Sequence, residues 1–176
     1  MLVRTAQHGA TLIEMLIGVA VLGILVAIAL PSYKAWIQNA QIRTAAESVL
    51  NGMQLARNEA VRRNASVQLK LGTQSSWTIS VPSTAEQIQT RSYGAGSTNV
   101  TVTKTPSAAT TITFNSLGRV TTNADASATI TQLDFDVPTT ILAATASRNL
   151  RILVAAGGNV RMCDPTVTDA TDARYC

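Results

Sequence analysis

The feature that most constrains this chain is an almost purely apolar run over residues 15–30, entered through a single carboxylate, Glu14. Counted from Leu12, the run approaches the roughly 20 residues that a helix needs to cross a bilayer. A short basic segment with Arg4 and His8 precedes it. A secretory signal peptide would be cut after its apolar run at a small-x-small pattern. Ala27-Ile28-Ala29 offers such a pattern, but Pro31 and a helical sequence follow it directly. A plain signal anchor has no need of a carboxylate, and a buried helix of a soluble protein would not be flanked in this way. A charge at the centre of a membrane helix costs about 2.5–3.5 kcal/mol on insertion scales, and less near its end. Glu14 therefore either sits hydrated among headgroups or meets a positive group at similar depth. Cleavage after Gly9 would create such a group, the α-amine of Ala10, on the same chain or a neighbour.

Pro31 lacks an N–H and clashes with the preceding helical turn, so it either kinks one helix or separates two. Beyond it, residues 32–64 carry Ile42, Ala46, Val49, Met53, Ala56 and Ala60 at spacings of three and four, the core-facing stripe of a helix. Gly52 weakens the middle of that helix by about 1 kcal/mol relative to Ala. Arg57, Arg62 and Arg63 gather near its end, where they complement the helix dipole as a solvated face. After Asn64 the apolar period becomes two. Strands are expected over 67–71 and 77–81, joined by a five-residue turn, and over 111–115, 130–137, 150–155 and 159–163. Gly157-Gly158 marks the last hairpin. The Ser/Thr-rich stretch 84–109 reads as a surface loop with one weak strand at 100–103. The expected architecture is α+β, with one face of an antiparallel sheet on the helix.

Composition narrows the function. Aromatics make up 4% and charges 14% of the chain, suiting a secreted β-rich domain better than a nucleotide-handling enzyme. Net charge is +4. Residues 31–66 hold five basic and two acidic side chains, whereas eight basic and seven acidic residues nearly balance from Val67 onward. The high isoelectric point therefore does not by itself mark a nucleic-acid binder. The single histidine, His8, lies in the segment that cleavage would remove, which leaves no Ser-His-Asp triad and no histidine-based metal site. Gly94-Ala95-Gly96 lacks the lysine and helix of a phosphate loop. Asp134 and Asp136 alternate with Leu133 and Phe135 as the solvent side of a strand, and Asp164, Asp169 and Asp172 fit no EF-hand spacing. Neither catalysis nor a cofactor is expected. Cys163 and Cys176 are free thiols in a reducing compartment, or a bridge outside it.

The octapeptide Gly9-Ala10-Thr11-Leu12-Ile13-Glu14-Met15-Leu16 resembles the leader junction of type IV pilins and type II secretion pseudopilins. The resemblance implies that a prepilin peptidase cuts after Gly9 and methylates the new N-terminus. It also implies that Glu14 is required for assembly and that Pro31 is the family's helix-kinking proline. Ala10 departs from the phenylalanine, or sometimes methionine, usual after the cut. The stretch 55–64 (Leu-Ala-Arg-Asn-Glu-Ala-Val-Arg-Arg-Asn), with the strand at 67–71, is similar to the GspH/FimT group of minor pilins and pseudopilins, as is the Phe114-to-Val120 turn with its Gly118-Arg119. The two cysteines match the disulfide-bounded terminal loop of pilins.

What this resemblance implies is a type IV pilin-like fold divided into a leader (1–9), a transmembrane and assembly helix (10–30), its amphipathic continuation (31–66) and a β-rich domain (67–176) closed by a loop over 163–176. The implied partners are other pilins and minor pilins, the prepilin peptidase, and inner-membrane lipid before assembly. The implied location is the bacterial inner membrane with a periplasmic domain, then an extracellular pilus. The main expectation is a minor pilin that starts or caps a filament, with a GspH-type pseudopilin as the alternative. A DNA-binding minor pilin is a third reading. Its Gly-Arg-x-Arg motif corresponds to Gly158-Asn159-Val160-Arg161, retaining only Arg161, to which Arg119, Arg148 and Arg151 would add if folded nearby. An adhesive tip using residues 84–109 is a fourth.

Overall fold

The computed structural model describes residues 11–176. The chain divides into two compact units at the Trp36/Ile37 boundary. One helix, α1 (Leu12–Arg63), runs through that boundary with Pro31 inside it. Of the two readings of Pro31, the structure takes the continuous helix.

In the first unit no side chain of α1 is buried. The second unit begins with the amphipathic part of α1, where Ile42, Ala45, Ala46, Val49, Met53, Ala56 and Ala60 are fully buried. Every residue of the expected stripe is on this face. Ala45, Ser48 and Gly52 widen it. Gly52 is more than a weak point in the helix. A Cβ built there would stand 3.0 Å from Leu69 Cδ1 and 3.0 Å from the Trp77 indole. The missing side chain lets the helix lie directly on two strands. The indole is held in turn by a hydrogen bond from Trp77 Nε1 to Ser48 Oγ of 3.0 Å.

Nine strands follow: β1 (Val67–Leu71), β2 (Trp77–Val81), β3 (Glu86–Arg91), β4 (Thr101–Thr105), β5 (Thr111–Phe114), β6 (Val120–Thr121), β7 (Gln132–Asp136), β8 (Leu150–Val154) and β9 (Val160–Cys163). They form two sheets rather than the single sheet expected, in the orders β3-β2-β1-β5-β6 and β4-β7-β8-β9. All the strand pairings are antiparallel. The surface loop read over 84–109 is corrected as well. It contains the edge strand β3, paired with β2. Its residues Glu-Gln-Ile-Gln-Thr-Arg are nearly all exposed, so it has no buried face and therefore no apolar alternation. The expected weak strand near residue 100 is β4, paired with β7.

The sheets are stitched by main-chain bonds. Val120 N–H donates to the Ala156 carbonyl at 3.1 Å, and Ile130 N–H donates to the Thr111 carbonyl at 3.1 Å. Asn123, 4% exposed, lies at this seam. Its amide faces the Thr111, Ser127 and Ala128 carbonyls at 3.1–3.2 Å, and its Oδ1 accepts from Thr113 Oγ1 at 2.9 Å. A buried amide so completely partnered fixes the 122–130 crossover. The Phe114-to-Val120 turn is also built into the scaffold. Arg57 Nε donates to the Gly118 carbonyl at 3.0 Å, tying α1 to the turn. Gly118 has φ 71° and packs against Gly158, whose φ is 83°. A Cβ at Gly158 would overlap the Gly118 carbonyl oxygen, so the last hairpin needs glycine there for space and conformation alike.

Candidate assembly helix and terminal loop

Thr11 precedes α1, and Glu14 is its third residue. Glu14 N–H donates to Thr11 Oγ1 at 3.3 Å, and Thr11 N–H donates to Glu14 Oε2 at 3.4 Å. This is the reciprocal arrangement of a capping box, which satisfies two of the N–H groups left without partners at a helix start. Both bonds are long and therefore weak. Their effect is directional, because they turn the carboxylate back toward the chain entering the helix. The Thr-x-x-Glu spacing that announces this cap is visible in the sequence. Gly9 and Ala10, and with them the leader junction, lie outside the described residues.

From residue 12 to residue 30 every side chain is exposed. The helix has a window of mean hydropathy 2.7, none of it buried. Thirteen large apolar side chains, from Leu12 at 84% exposure to Leu30 at 50%, are left uncovered among the described residues. Burying each is worth about 1.5–3 kcal/mol, so covering the helix yields at most on the order of 20–40 kcal/mol. Soluble proteins rarely leave so large an apolar surface in water. It must be covered by lipid, by other helices, or by each in turn.

The four arginines of the DNA-binding reading lie on β8, on β9, at the Gly118 turn and in the segment before β8. Arg151 and Arg161 lie on the same face of the second sheet, since Arg151 pairs with Cys163 and Leu153 with Arg161 across β8 and β9. Arg151 Nε is bound to Asp134 Oδ1 at 2.6 Å, and Gln132 holds the other oxygen of that carboxylate at 2.7 Å. Asp134 is thus an ion-pair partner and not only a solvent-facing residue. Arg161 Nη2 donates to the Cys176 carbonyl at 2.7 Å. Arg119 stands at the Gly118 turn, while Arg148 is placed beside α1, where its N–H donates to Asn39 Oδ1 at 2.8 Å. Asp136 is occupied within the chain too, accepting from Ser147 Oγ at 2.8 Å.

Cys163 and Cys176 form a disulfide, closing a loop of sequence separation 13. Inside it the three aspartates each build a turn. Asp164 Oδ1 accepts from Thr166 N–H at 2.9 Å and Thr166 Oγ1 at 2.6 Å, and Asp169 Oδ1 accepts from Thr171 N–H at 2.9 Å and Thr171 Oγ1 at 2.8 Å. Asp172 accepts from Arg174 N–H and pairs with its guanidinium at 2.7 Å. Hydrogen bonds from Thr171 lower the Asp169 pKa, and the Arg174 side chain holds Asp172 down at about 2. Asp-x-Thr is a turn signal, legible in the sequence, that uses the carboxylate on its own backbone. At the end of α1, the Arg62 and Arg63 guanidiniums hold Glu59 at about 2, and Arg63 continues to Glu86 of β3 at 2.8 Å.

The sequence matches two described families. The first, Type II transport protein GspH, matches residues 45–158. The second, the prokaryotic N-terminal methylation motif, matches residues 4–30. A fimbrial protein of Moraxella nonliquefaciens is 55% identical over 40 residues, which are 23% of this chain and 26% of that protein. The chain thus spans about a quarter of the length of that relative. Among solved structures, the type IV minor pilin FimU of Pseudomonas aeruginosa is similar in two crystal forms, at TM-scores of 0.48 and 0.47 and identities of 15% and 16%. Those alignments cover 69% and 68% of this chain and 87% and 90% of the FimU chains.

Proposed function

This chain belongs to the GspH family, and from that membership we propose that it is a minor pilin which enters or caps a type IV pilus through the first half of α1. The observation that carries the reading is the unpartnered apolar helix over residues 12–30, with a methylation motif spanning residues 4–30. A filament core made of such helices supplies the cover that is missing among the described residues.

The mechanism follows from the helix start. Before assembly the apolar helix resides in the inner membrane with the β-domain on the periplasmic side. A prepilin peptidase removes residues 1–9, leaving Ala10 at the N-terminus. The capping box directs Glu14 toward that end of the helix, where the amine of a neighbouring subunit neutralises it. Burial of the helix supplies affinity, and the carboxylate sets axial register. Pro31 adapts the helix to its neighbours.

The test is the intact mass and N-terminal sequence of the protein from sheared surface filaments and from membranes. The reading expects a chain beginning at Ala10, with the disulfide closed, in the filaments. A chain still beginning at Met1 and confined to membranes would overturn it.

A second reading, a type II secretion pseudopilin, is favoured by the description of the matching family itself. It predicts a processed chain that stays in the cell envelope and whose loss blocks protein secretion. The DNA-binding reading draws little support from the geometry, because Arg151 is neutralised by Asp134 and Arg161 is engaged by the Cys176 carbonyl. Phosphate binding needs accumulated free positive charge.

A further inference from the structure

Tyr33 and Trp36 stand on α1 immediately beyond the apolar run. Their rings are stacked, with centroids 6.0 Å apart and planes 24° from parallel. They are 58% and 65% exposed. The whole chain has only two Trp, three Tyr and two Phe, so two of its seven aromatic side chains stand within four residues, in the open. Lys34 lies between them and takes part in no ion pair among the described residues. Among the described residues, this stacked pair and the lysine between them fill no part of the core.

Building on the membrane-inserted state proposed above, we propose that Tyr33, Lys34 and Trp36 are a lipid-headgroup anchor that fixes the depth of the helix before assembly. At about 1.5 Å per residue, residues 12–30 span about 28 Å, close to the roughly 30 Å of a bilayer hydrocarbon core. With Leu30 at the boundary of that core, the Tyr33 backbone lies about 4.5 Å beyond it and the Trp36 backbone about 9 Å beyond it. The headgroup layer on each side is about 5–8 Å thick. Helical side chains lean toward the N-terminus, so the Trp36 ring reaches back into that layer. Tyr and Trp suit it because each joins an apolar body to one hydrogen-bonding group. The Lys34 ammonium extends to the lipid phosphates.

The anchor has a consequence at the other end of the helix. Glu14 lies sixteen residues before Leu30, about 24 Å along the axis, which places its backbone about 6 Å inside the opposite hydrocarbon boundary. A bare carboxylate is unfavourable there. A subunit held at this depth gains from any neighbour that offers an amine at the same level. The aromatic pair thereby primes Glu14 for assembly from the far side of the membrane.

The experiment uses the full chain in vesicles of phosphatidylcholine and phosphatidylglycerol carrying bromine or nitroxide quenchers at defined depths. Trp36 emission is obtained as the difference between the unmodified protein and Trp36→Phe, whose remaining Trp77 is buried at 4% exposure. The proposal expects headgroup-level quenchers to quench Trp36 several times more strongly than mid-chain quenchers, and aqueous iodide to act weakly. Strong iodide quenching in protein that floats with the vesicles would place Trp36 in water and overturn the anchor alone. Strongest quenching from mid-chain positions would overturn the depth assignment. Protein that does not float with vesicles at all would overturn the membrane-inserted state together with the anchor.

Discussion

Replacing Gly52 by Ala sets two effects of similar size against each other. In an exposed helix the exchange is stabilising by about 1 kcal/mol, because Ala loses less backbone entropy. Here the new methyl would arrive 3.0 Å from Leu69 Cδ1 and 3.0–3.2 Å from two atoms of the Trp77 indole. Neither neighbour yields easily. Leu69 is fully buried and Trp77 is 4% exposed. Turning the indole would also stretch its 3.0 Å bond to Ser48, and an unsatisfied buried hydroxyl costs about 1–3 kcal/mol. Overpacking of this kind typically costs about 1–3 kcal/mol. The net expectation is a loss of about 1 kcal/mol, equivalent to about 2–4 °C in Tm for a domain of this size. Thermal and urea unfolding of the full chain in non-denaturing detergent, followed by near-ultraviolet circular dichroism, reads the change. Asn51→Ala, next door on the exposed side of α1, is the control and should gain a few tenths of a kcal/mol from propensity alone, about 0.5 at most. A Gly52→Ala protein as stabilised as helix propensity predicts would refute the close-packing argument.

Three further outcomes are expected. Glu14→Ala should leave membrane insertion intact but abolish recovery of the chain in sheared filaments. Normal incorporation of that variant would remove the register role. Opening the disulfide by replacing Cys163 and Cys176 with Ser should lower unfolding stability by about 2–3 kcal/mol by the loop-entropy estimate. It should also render the 163–176 loop protease-sensitive, and unchanged resistance would show that the Asp-x-Thr turns suffice. Glu59 titrates at about 2 when folded, against an ordinary value of 4.5. Its folded-state pKa is depressed, so its contribution to stability is full above about pH 4.5 and is lost as pH falls toward about 2. Glu59→Gln should make the acid unfolding profile shallower over that window, leaving the parts due to Asp125, Asp169 and Asp172. A profile identical to the unmodified protein would mean that the Arg62–Glu59–Arg63 cluster does not help to hold the helix end.

What could be read from the sequence was set by local periodicity. The stripe from Ile42 to Ala60 announces itself because one helical face is buried throughout, and the β8–β9 hairpin is marked by Gly157-Gly158. The division of the strands into two sheets is invisible locally, since it depends on β4 pairing with β7 across residues 106–131 and on Asn123 holding the crossover between them. Strand β3 was missed because an edge strand with both faces in water has no apolar period. The cap at Thr11 is legible in the spacing of Thr11 and Glu14, a signal separate from the charge of Glu14 at membrane depth. Gly52 is the opposite case. Read as a weak helical residue, it is the position where two layers touch, and only the identity of its neighbours across the interface reveals this.

The first buried side chain of α1 is Ile42, and none of residues 12–36 enters the core of the unit that follows. Selection can therefore retune the two ends of this helix independently. Changes in the exposed stretch alter the company the subunit keeps without threatening its folding, while changes beyond Ile42 are judged almost entirely by the domain they help to build. One helix thus carries two separately inheritable texts, and a hybrid that joins the first thirty-six residues of one relative to the remainder of another should remain a foldable protein with a transplanted address.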